Sequence, residues 1–500
     1  MRTLLTSRLR PYVCQSCRRD ILPVRRKLSS NSSPVPEIYD VVCVGGGPAG
    51  LGLLAALKAS PITSKLKVAL IESQDLSKSR KWDPEPNEYS NRCSSLTPSS
   101  VSFLRDIGAW QHVDSSRIQP YQEMQVWDGE TGSRVSFDWS LESPSGQPET
   151  VATMTENANL VRSLLSRIAS LEDSNTSIFS NTTVAAIDNG IDLPDGPDLS
   201  AWPVLSLSPK SAQSENEAPK TIAARLLVGA DGINSPVRTF ADISTDGWDY
   251  NRHGVVATLD LSSLGPEGLS AAYQRFLPSL GGPIALLPLP NNHATLVWST
   301  TVQNAVYLKS LPPSTLTTMI NAAFRLSMTD LSYMLTLDNS SPSQHADELS
   351  WRLQHTDLPT RLPPTVTSIQ PGTVASFPLR HRHASTYISP RVALIGDAAH
   401  VIHPLAGQGL NLGIGDVASL SRTIEYSMQH GMDIGDYLSL ERYPYERWGV
   451  NAKVGLACDL LHKVYNVPGQ GPVAWGRSFG LDMVDKVPFV KSFFMKQAEG

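Results

Sequence analysis

Residues 45–50 read GGGPAG, and they stand between a β-rich run, Ile38-Tyr39-Asp40-Val41-Val42-Cys43-Val44, and a helix-forming run from Leu51 to Leu57. Few short stretches constrain a fold more. Gly-x-Gly-x-x-Gly at a strand-to-helix junction asks for a parallel α/β unit. Gly45 permits the tight turn, Gly47 lets the backbone approach a pyrophosphate, and Gly50 lets helix pack on strand. Pro48 and Ala49 complete a loop in which free N–H groups and the helix N-terminus face the phosphates. A second strand, Lys67 to Ile71, ends at Glu72, twenty-two residues past Gly50. An acid there can hydrogen-bond an adenosine ribose hydroxyl and disfavours a 2′-phosphate. The register predicts a dinucleotide site without separating FAD from NAD. The same apolar stretch, 41–57, is too short for a bilayer span and its glycines and Pro48 interrupt it.

Two later turns repeat the architecture. Leu226-Leu227-Val228-Gly229-Ala230 delivers Asp231 and Gly232 into GADGINSPVR, and a strand from Arg391 to Ile395 ends at Gly396-Asp397. The latter opens ALIGDAAHVIHPLAGQGLNLGIGD, residues 393–416, where five glycines, two histidines and two aspartates interrupt an apolar run. Asp397 reads as a buried carboxylate, and glycine is favoured where something must come close to the backbone. The sequence HPLAGQG leads into a helix predicted over Leu410 to Leu420.

Five hundred residues suggest two domains. The first 28 differ from the rest, with seven Arg and one Lys against Asp20, followed by Ser-rich LSSNSS. That pattern predicts a mitochondrial transit peptide cleaved near Leu28. Its removal takes eight cations and one anion away, moving the formal charge from −5 to about −12. So acidic a chain is a poor general nucleic-acid binder. Cys14-x-x-Cys17 lies inside the presequence, and Cys43, Cys93 and Cys458 are too far apart to suggest a disulfide framework. His400 and His403 lack further ligands nearby, so no metal site is expected, and His400 reads as a satisfied core histidine. No Ser/His/Asp or Cys/His nucleophile set is evident.

Together, GGGPAG, GADGINSPVR and GDAAHVIHPLAGQGLNLG, in this order and spacing, resemble class A flavoprotein monooxygenases of the para-hydroxybenzoate hydroxylase fold. YNRHGVVATL, AAYQRFLP, GGPIALLPL and HATLVWS bring the resemblance closer to the ubiquinone-biosynthesis hydroxylases, over about residues 38–500, and the presequence points to their mitochondrial members. The resemblance implies FAD as cofactor. Asp397 would accept hydrogen bonds from ribityl hydroxyls. Gly407, Gln408, Gly409, Leu410 and Asn411 would bring backbone and a helix N-terminus against the flavin, where negative charge collects on reduction. Arg92 matches the family arginine that reaches FAD phosphates, Asn157 a polar FAD contact, and His403-Pro404 would line the substrate side.

It further implies hydroxylation of a polyprenylated 4-hydroxybenzoate or its decarboxylated phenol at ring position C5, with C1 as a second candidate position, through O2 and a flavin C4a-hydroperoxide. Electrons would come from a ferredoxin and its reductase, or from NAD(P)H. The expected setting is a multi-subunit ubiquinone-biosynthesis complex, in peripheral contact with the matrix face of the inner membrane, and residues 476–496 are a candidate contact. The expected fold is α/β: a discontinuous, Rossmann-like FAD domain at 37–117, 151–245 and 375–465, an inserted β-sheet substrate domain at 118–150 and 246–374, and a helical segment at 466–500. The polar stretches 140–150 and 189–220 read as surface insertions. Rival readings are a class A hydroxylase or epoxidase of another aromatic, and a non-catalytic FAD-binding scaffold subunit.

Overall fold

Parallel pairing organises the first sheet. Glu37–Val44 lies between Lys220–Gly229 and Val68–Ile71, parallel to both, with Val41 opposite Leu226 on one side and Val68 on the other. Val392–Leu394 extends it parallel to Lys220–Gly229, and Thr176–Phe179 parallel to Val68–Ile71. Strands of a parallel sheet are covered on both faces and read as continuous apolar runs; all four residues of Val68–Ile71 are buried. The antiparallel ribbon Thr182–Asn189 and Pro203–Pro209 adds to Lys220–Gly229, and Ile388–Ser389 pairs antiparallel with Val392–Leu394, completing eight strands. Helices Pro48–Ala59 and Gly409–Gln429 pack together on this sheet, with Gly52 beside Val417. This is a computed structural model, and it describes residues 35–139, 150–171, 174–193, 197–210, 220–263, 268–337, 342–358, 361–404, 407–467 and the single positions 471, 476 and 480. The presequence with its Cys pair, most of 140–150, residues 211–219 and all but two positions of 476–496 lie outside the described residues.

A second sheet of nine strands is mainly antiparallel. Its spine is the 17-residue strand Thr245–Leu261, paired with His293–Thr301 on one side and Ala375–Ala384 on the other. Helix Pro313–Arg325 closes a separate core over it, where Trp298 is wholly buried. Some strands pair across the expected boundaries. Ala375–Ala384 and His400–Val401, expected with the nucleotide sheet, pair into the nine-stranded one. Their polar-apolar alternation, SFPLRHRHA, suits a sheet with one open face rather than a doubly covered one. A third, small sheet joins Cys93–Leu96, Ala152–Glu156 and Ile118–Tyr121. The α/β class, with a parallel nucleotide-type sheet and a second β-sheet, is as expected.

Candidate functional site

The three motif turns converge at the C-terminal edge of the parallel sheet. The fingerprint strand ends at Val44, and Gly45 turns at φ +110°. A Cβ on Gly45 would stand 2.2 Å from the Ala230 carbonyl oxygen, and one on Gly50 would stand 1.9 Å from the Gly45 carbonyl oxygen. Gly47 differs, because a Cβ there would meet nothing within 4 Å. Its neighbours leave the space that a phosphate group would need. Pro48 takes the first helical position, where its missing N–H costs nothing, and Gly47 gives that helix no side-chain cap. Glu72 at the end of the second strand accepts the Gly46 N–H at 2.5 Å through one carboxylate oxygen and the Gln74 N–H at 2.6 Å through the other. It therefore braces the loop from outside while standing where a ribose would be read.

Asp231 follows the strand Lys220–Gly229 beside the fingerprint. One of its oxygens accepts the Val237 N–H at 3.3 Å, while Oδ1 is buried with no partner. Burial pushes its carboxyl above the usual range, against hydrogen bonds from Ser235 and Val237. Arg238, from the same motif, donates to Ile233 and to the Ala398 carbonyl at 2.8 Å, tying the second motif to the third.

At the third turn the sequence expectation needs correction. Asp397 is not buried: it sits on the short 3-10 turn Gly396–Ala398 and is open to solvent. Packed surroundings still push its carboxyl above the usual range, with His400 pulling the other way. A recessed but open carboxylate is what a bound ligand could reach. The buried carboxylate of this stretch is Asp416, fully covered on helix Gly409–Gln429.

The glycines of this stretch also divide by role. Gly407 turns at φ +62°, where a Cβ would lie 3.6 Å from Ser95 Cβ, and a Cβ on Gly409 would meet nothing within 4 Å, so Gly409 faces open space. Gly413 lies against Gly396 and Ala49, and a Cβ on Gly415 would collide with the Arg447 guanidinium. Those two make room for the chain itself, not for a ring. Gln408 gives the helix no side-chain cap, whereas Thr97, Thr301 and Ser327 cap theirs. The first-turn N–H groups near Gly409, Leu410 and Asn411 therefore face outward uncapped.

The side chain of Asn411 is otherwise engaged. It accepts the Thr97 N–H at 3.0 Å and the Ser100 hydroxyl at 2.8 Å, and donates to the Ser95 carbonyl at 2.8 Å. Only its backbone remains to offer a cofactor. Arg92 is exposed, and its carbonyl accepts the Asn157 N–H at 2.9 Å; Asn157 Oδ1 accepts from Ser94. Both thus sit at the head of the small sheet whose Ser95 faces Gly407. His403 is wholly buried between Tyr250 (5.0 Å between ring centroids) and His462 (4.8 Å). It backs the loop instead of lining an open surface, because the helix Arg442–Tyr465 covers it. Pro404 stays half-buried and its carbonyl accepts the Gly407 N–H.

The residues present fit a flavin dinucleotide: an open cradle at Gly47, an unpartnered buried oxygen on Asp231, a second open glycine at Gly409 and two uncapped helix N-termini along one edge. Comparison with known proteins agrees. The family model described as FAD binding domain matches residues 38–448. The chain is 40% identical over 463 residues to "Ubiquinone biosynthesis monooxygenase COQ6, mitochondrial" of Schizosaccharomyces pombe, covering 91% of each chain. It is 34% identical to the Homo sapiens protein of the same name, over 92% of each. The chain belongs to the ubiquinone biosynthesis monooxygenase family. Among solved structures, p-nitrophenol 4-monooxygenase PnpA of Pseudomonas putida superposes with a TM-score of 0.62 at 17% identity, over 93% of this chain and 99% of that one. PqsL of Pseudomonas aeruginosa, a probable FAD-dependent monooxygenase, gives 0.60 at 20% identity, over 89% and 99%. At that identity the likeness shows the fold.

In this FAD-dependent monooxygenase, sequence reasoning missed the residues that hold the loops. Arg117 and Glu156, both buried, pair at 2.7 Å. Arg117 also packs over Trp82 and Tyr89 and donates to the Glu85 and Glu88 carbonyls, so the strap leading to Arg92 is clamped from beneath. An apolar cluster including Tyr121, Trp139, Met154 and Leu289 fills the space between the small sheet and the nine-stranded one. It reaches the loop through the Tyr121–Ser95 hydroxyl pair at 2.9 Å. Among the described residues, no helix is long and apolar enough to cross a membrane, and no group of three or more His, Cys, Asp or Glu gathers as a metal site.

Proposed function

We propose that this monooxygenase hydroxylates the aromatic ring of a polyprenylated 4-hydroxybenzoate, or of the phenol derived from it, at C5, with C1 as a second position. The observation that carries the reading is the loop Gly407–Gly409, open at Gly409 and joined through Ser95 to an apolar aromatic cluster, on the same chain stretch as the exposed Asp397 carboxylate. Bound FAD would supply electron transfer and O2 activation. The chain supplies orientation, placed charge and dryness.

Gly45–Gly50 and Glu72 would hold the adenosine and pyrophosphate end, with Arg92 and Asn157 nearby on the small sheet. Asp397 would accept hydrogen bonds from the hydroxylated linker. The N-terminus of Gly409–Gln429 would stabilise negative charge on the ring system. The aromatic cluster next to Ser95 would keep water from the reacting face. In this reading the enzyme works at the matrix face of the inner membrane as a peripheral protein within a multi-subunit complex. It takes electrons from a ferredoxin and its reductase, or from NAD(P)H. The names of its relatives support the mitochondrial setting.

A lipid mass-spectrometry profile of cells lacking the protein tests the reading. Non-hydroxylated prenylphenols should accumulate, and a benzoate precursor already carrying the missing hydroxyl should restore quinone. Failure of that precursor to restore it would favour a scaffold role, and undiminished quinone would overturn the substrate assignment.

A further inference from the structure

The turn that carries Asp397 is held from behind by a side chain that cannot touch a ligand. Asp416 is wholly buried on the third turn of Gly409–Gln429, and its carboxylate collects four donors. Oδ2 accepts the Gly396 N–H at 3.1 Å and His400 Nε2 at 2.6 Å. Oδ1 accepts Arg447 Nε at 3.1 Å and Asn451 Nδ2 at 2.9 Å. Gly396 immediately precedes Asp397, and His400 follows it by three residues, so Asp416 grips the turn on both flanks. Arg447 and Asn451 come from the last long helix, Arg442–Tyr465, and Gly415 leaves the gap through which the Arg447 guanidinium passes. On the opposite side Arg238 holds the Ala398 carbonyl.

A buried carboxylate is costly unless every lone pair is met. This one is met, and burial is overcome by His400 and Arg447, which hold it below the ordinary carboxylate range. An apolar residue would pack a helix against a turn at less cost. A charged hub with two acceptor atoms does what packing cannot: it fixes the turn's backbone amide in direction as well as distance.

We propose that Asp416 is a positioning residue for the flavin end of the site: by binding the Gly396 amide and His400 on one oxygen and Arg447 and Asn451 on the other, it sets where Asp397 stands. This rests on the reading that Asp397 meets the cofactor's linker. The hub bonds the Asp397 turn directly and makes no hydrogen bond to the fingerprint loop, which meets this turn only by van der Waals packing of Ala49 on Gly396 and Gly413, so its loss acts chiefly on the ring-side half of the dinucleotide.

The test uses the full-length protein freed of flavin, titrated with FAD and, separately, with ADP, whose reach ends at the fingerprint loop and Glu72. Asp416→Asn should weaken FAD binding at least tenfold, shift the visible absorbance band of the flavin that does bind, and leave ADP affinity within twofold. Arg447→Gln, which spares the Gly396 and His400 contacts, should weaken FAD about threefold and serves if Asp416→Asn does not fold. Parallel losses of FAD and ADP affinity, or unchanged FAD affinity, would overturn the proposal. Asp397→Asn separates the two levels. If it leaves FAD binding intact, the cofactor assignment of the turn falls and this proposal with it; if it weakens FAD while Asp416→Asn does not, the positioning role alone falls.

Discussion

The two loops that embrace the candidate site are built on opposite plans. The fingerprint loop is held mostly by its near neighbours. Gly50 leaves room for the Gly45 carbonyl of the same loop and its brace, Glu72, stands at the end of the adjoining strand, although Gly45 itself is pressed by the distant Ala230 carbonyl. The ring-side loop depends on distant chain. Asn411 is locked by Ser95, Thr97 and Ser100, more than 300 residues earlier, and Gly396 by Asp416 with Arg447 and Asn451 behind it. A loop whose shape is local can be specified by six residues. A loop whose shape is imposed needs its scaffold finished first.

The sharpest way to break this contrast is to add one methyl group at two neighbouring glycines. Gly50→Ala puts a Cβ 1.9 Å from a carbonyl oxygen that has nowhere to go, and should cost about 3 kcal/mol of stability along with FAD binding. Gly47→Ala meets no protein atom; urea unfolding should move by less than about 0.5 kcal/mol, while FAD affinity falls tenfold or more. Equal stability losses in the two variants would mean that Gly47 answers to the fold, not to a ligand.

Acid should act next, and on the ring side. Burial holds His403 at about 3 and His462 at about 4, against an ordinary 6.5. The folded state refuses protons that the unfolded chain accepts below 6.5, so stability is full above that pH and is lost as pH falls toward 4. The loss is at most about 1.4 kcal/mol per pH unit for each histidine. Urea midpoints at pH 7.5 and 5.0 should show the drop, and His462→Gln should lessen it, leaving the share of His403. Hydrogen exchange at pH 5.0 should rise around 400–411 before it rises around 45–50.

Smaller effects separate clamp from contact. Asn411→Ala strands the Thr97 amide and should cost about 1–2 kcal/mol in thermal or urea unfolding of the flavin-free protein. Glu72→Gln turns one of the two accepting oxygens into a donor facing a loop N–H and should cost about 1 kcal/mol in unfolding while weakening FAD several-fold, read by flavin fluorescence titration.

What the sequence disclosed follows the same division. The strand, turn and helix around Gly45–Gly50, the acid at Glu72 and the strand tips at Asp231 and Asp397 were legible because each signal lies within a few residues of what it specifies. The nucleotide-type sheet followed from them. Asp416 was visible as an acid in an apolar helix, yet nothing nearby announced Arg447 or Asn451 as its partners. The exposure of Asp397 was misjudged because an apolar strand predicts burial for its own residues, not for the side chain just past its tip. Nothing in the sequence near Arg117 or Glu156 announces that the two are buried together. Ala375–Ala384 was placed with the wrong sheet because its neighbour in sequence, Val392–Leu394, belongs to the other.

The order of strands in the parallel sheet has a consequence for how the protein comes into being. Glu37–Val44 takes its two neighbours from residues 68–71 and 220–229, and the sheet reaches its third motif only with Val392–Leu394. A chain emerging from a ribosome or an import pore can shape the fingerprint loop early. It cannot offer the complete ring-side loop until the helix bearing Arg447 has arrived, far later in the sequence than the fingerprint. So late an assembly, resting on contacts of such long sequence separation, makes folding slow and leaves the nascent chain dependent on chaperones. Cofactor insertion should therefore close the folding reaction, and flavin supply should govern how much of the newly made chain survives.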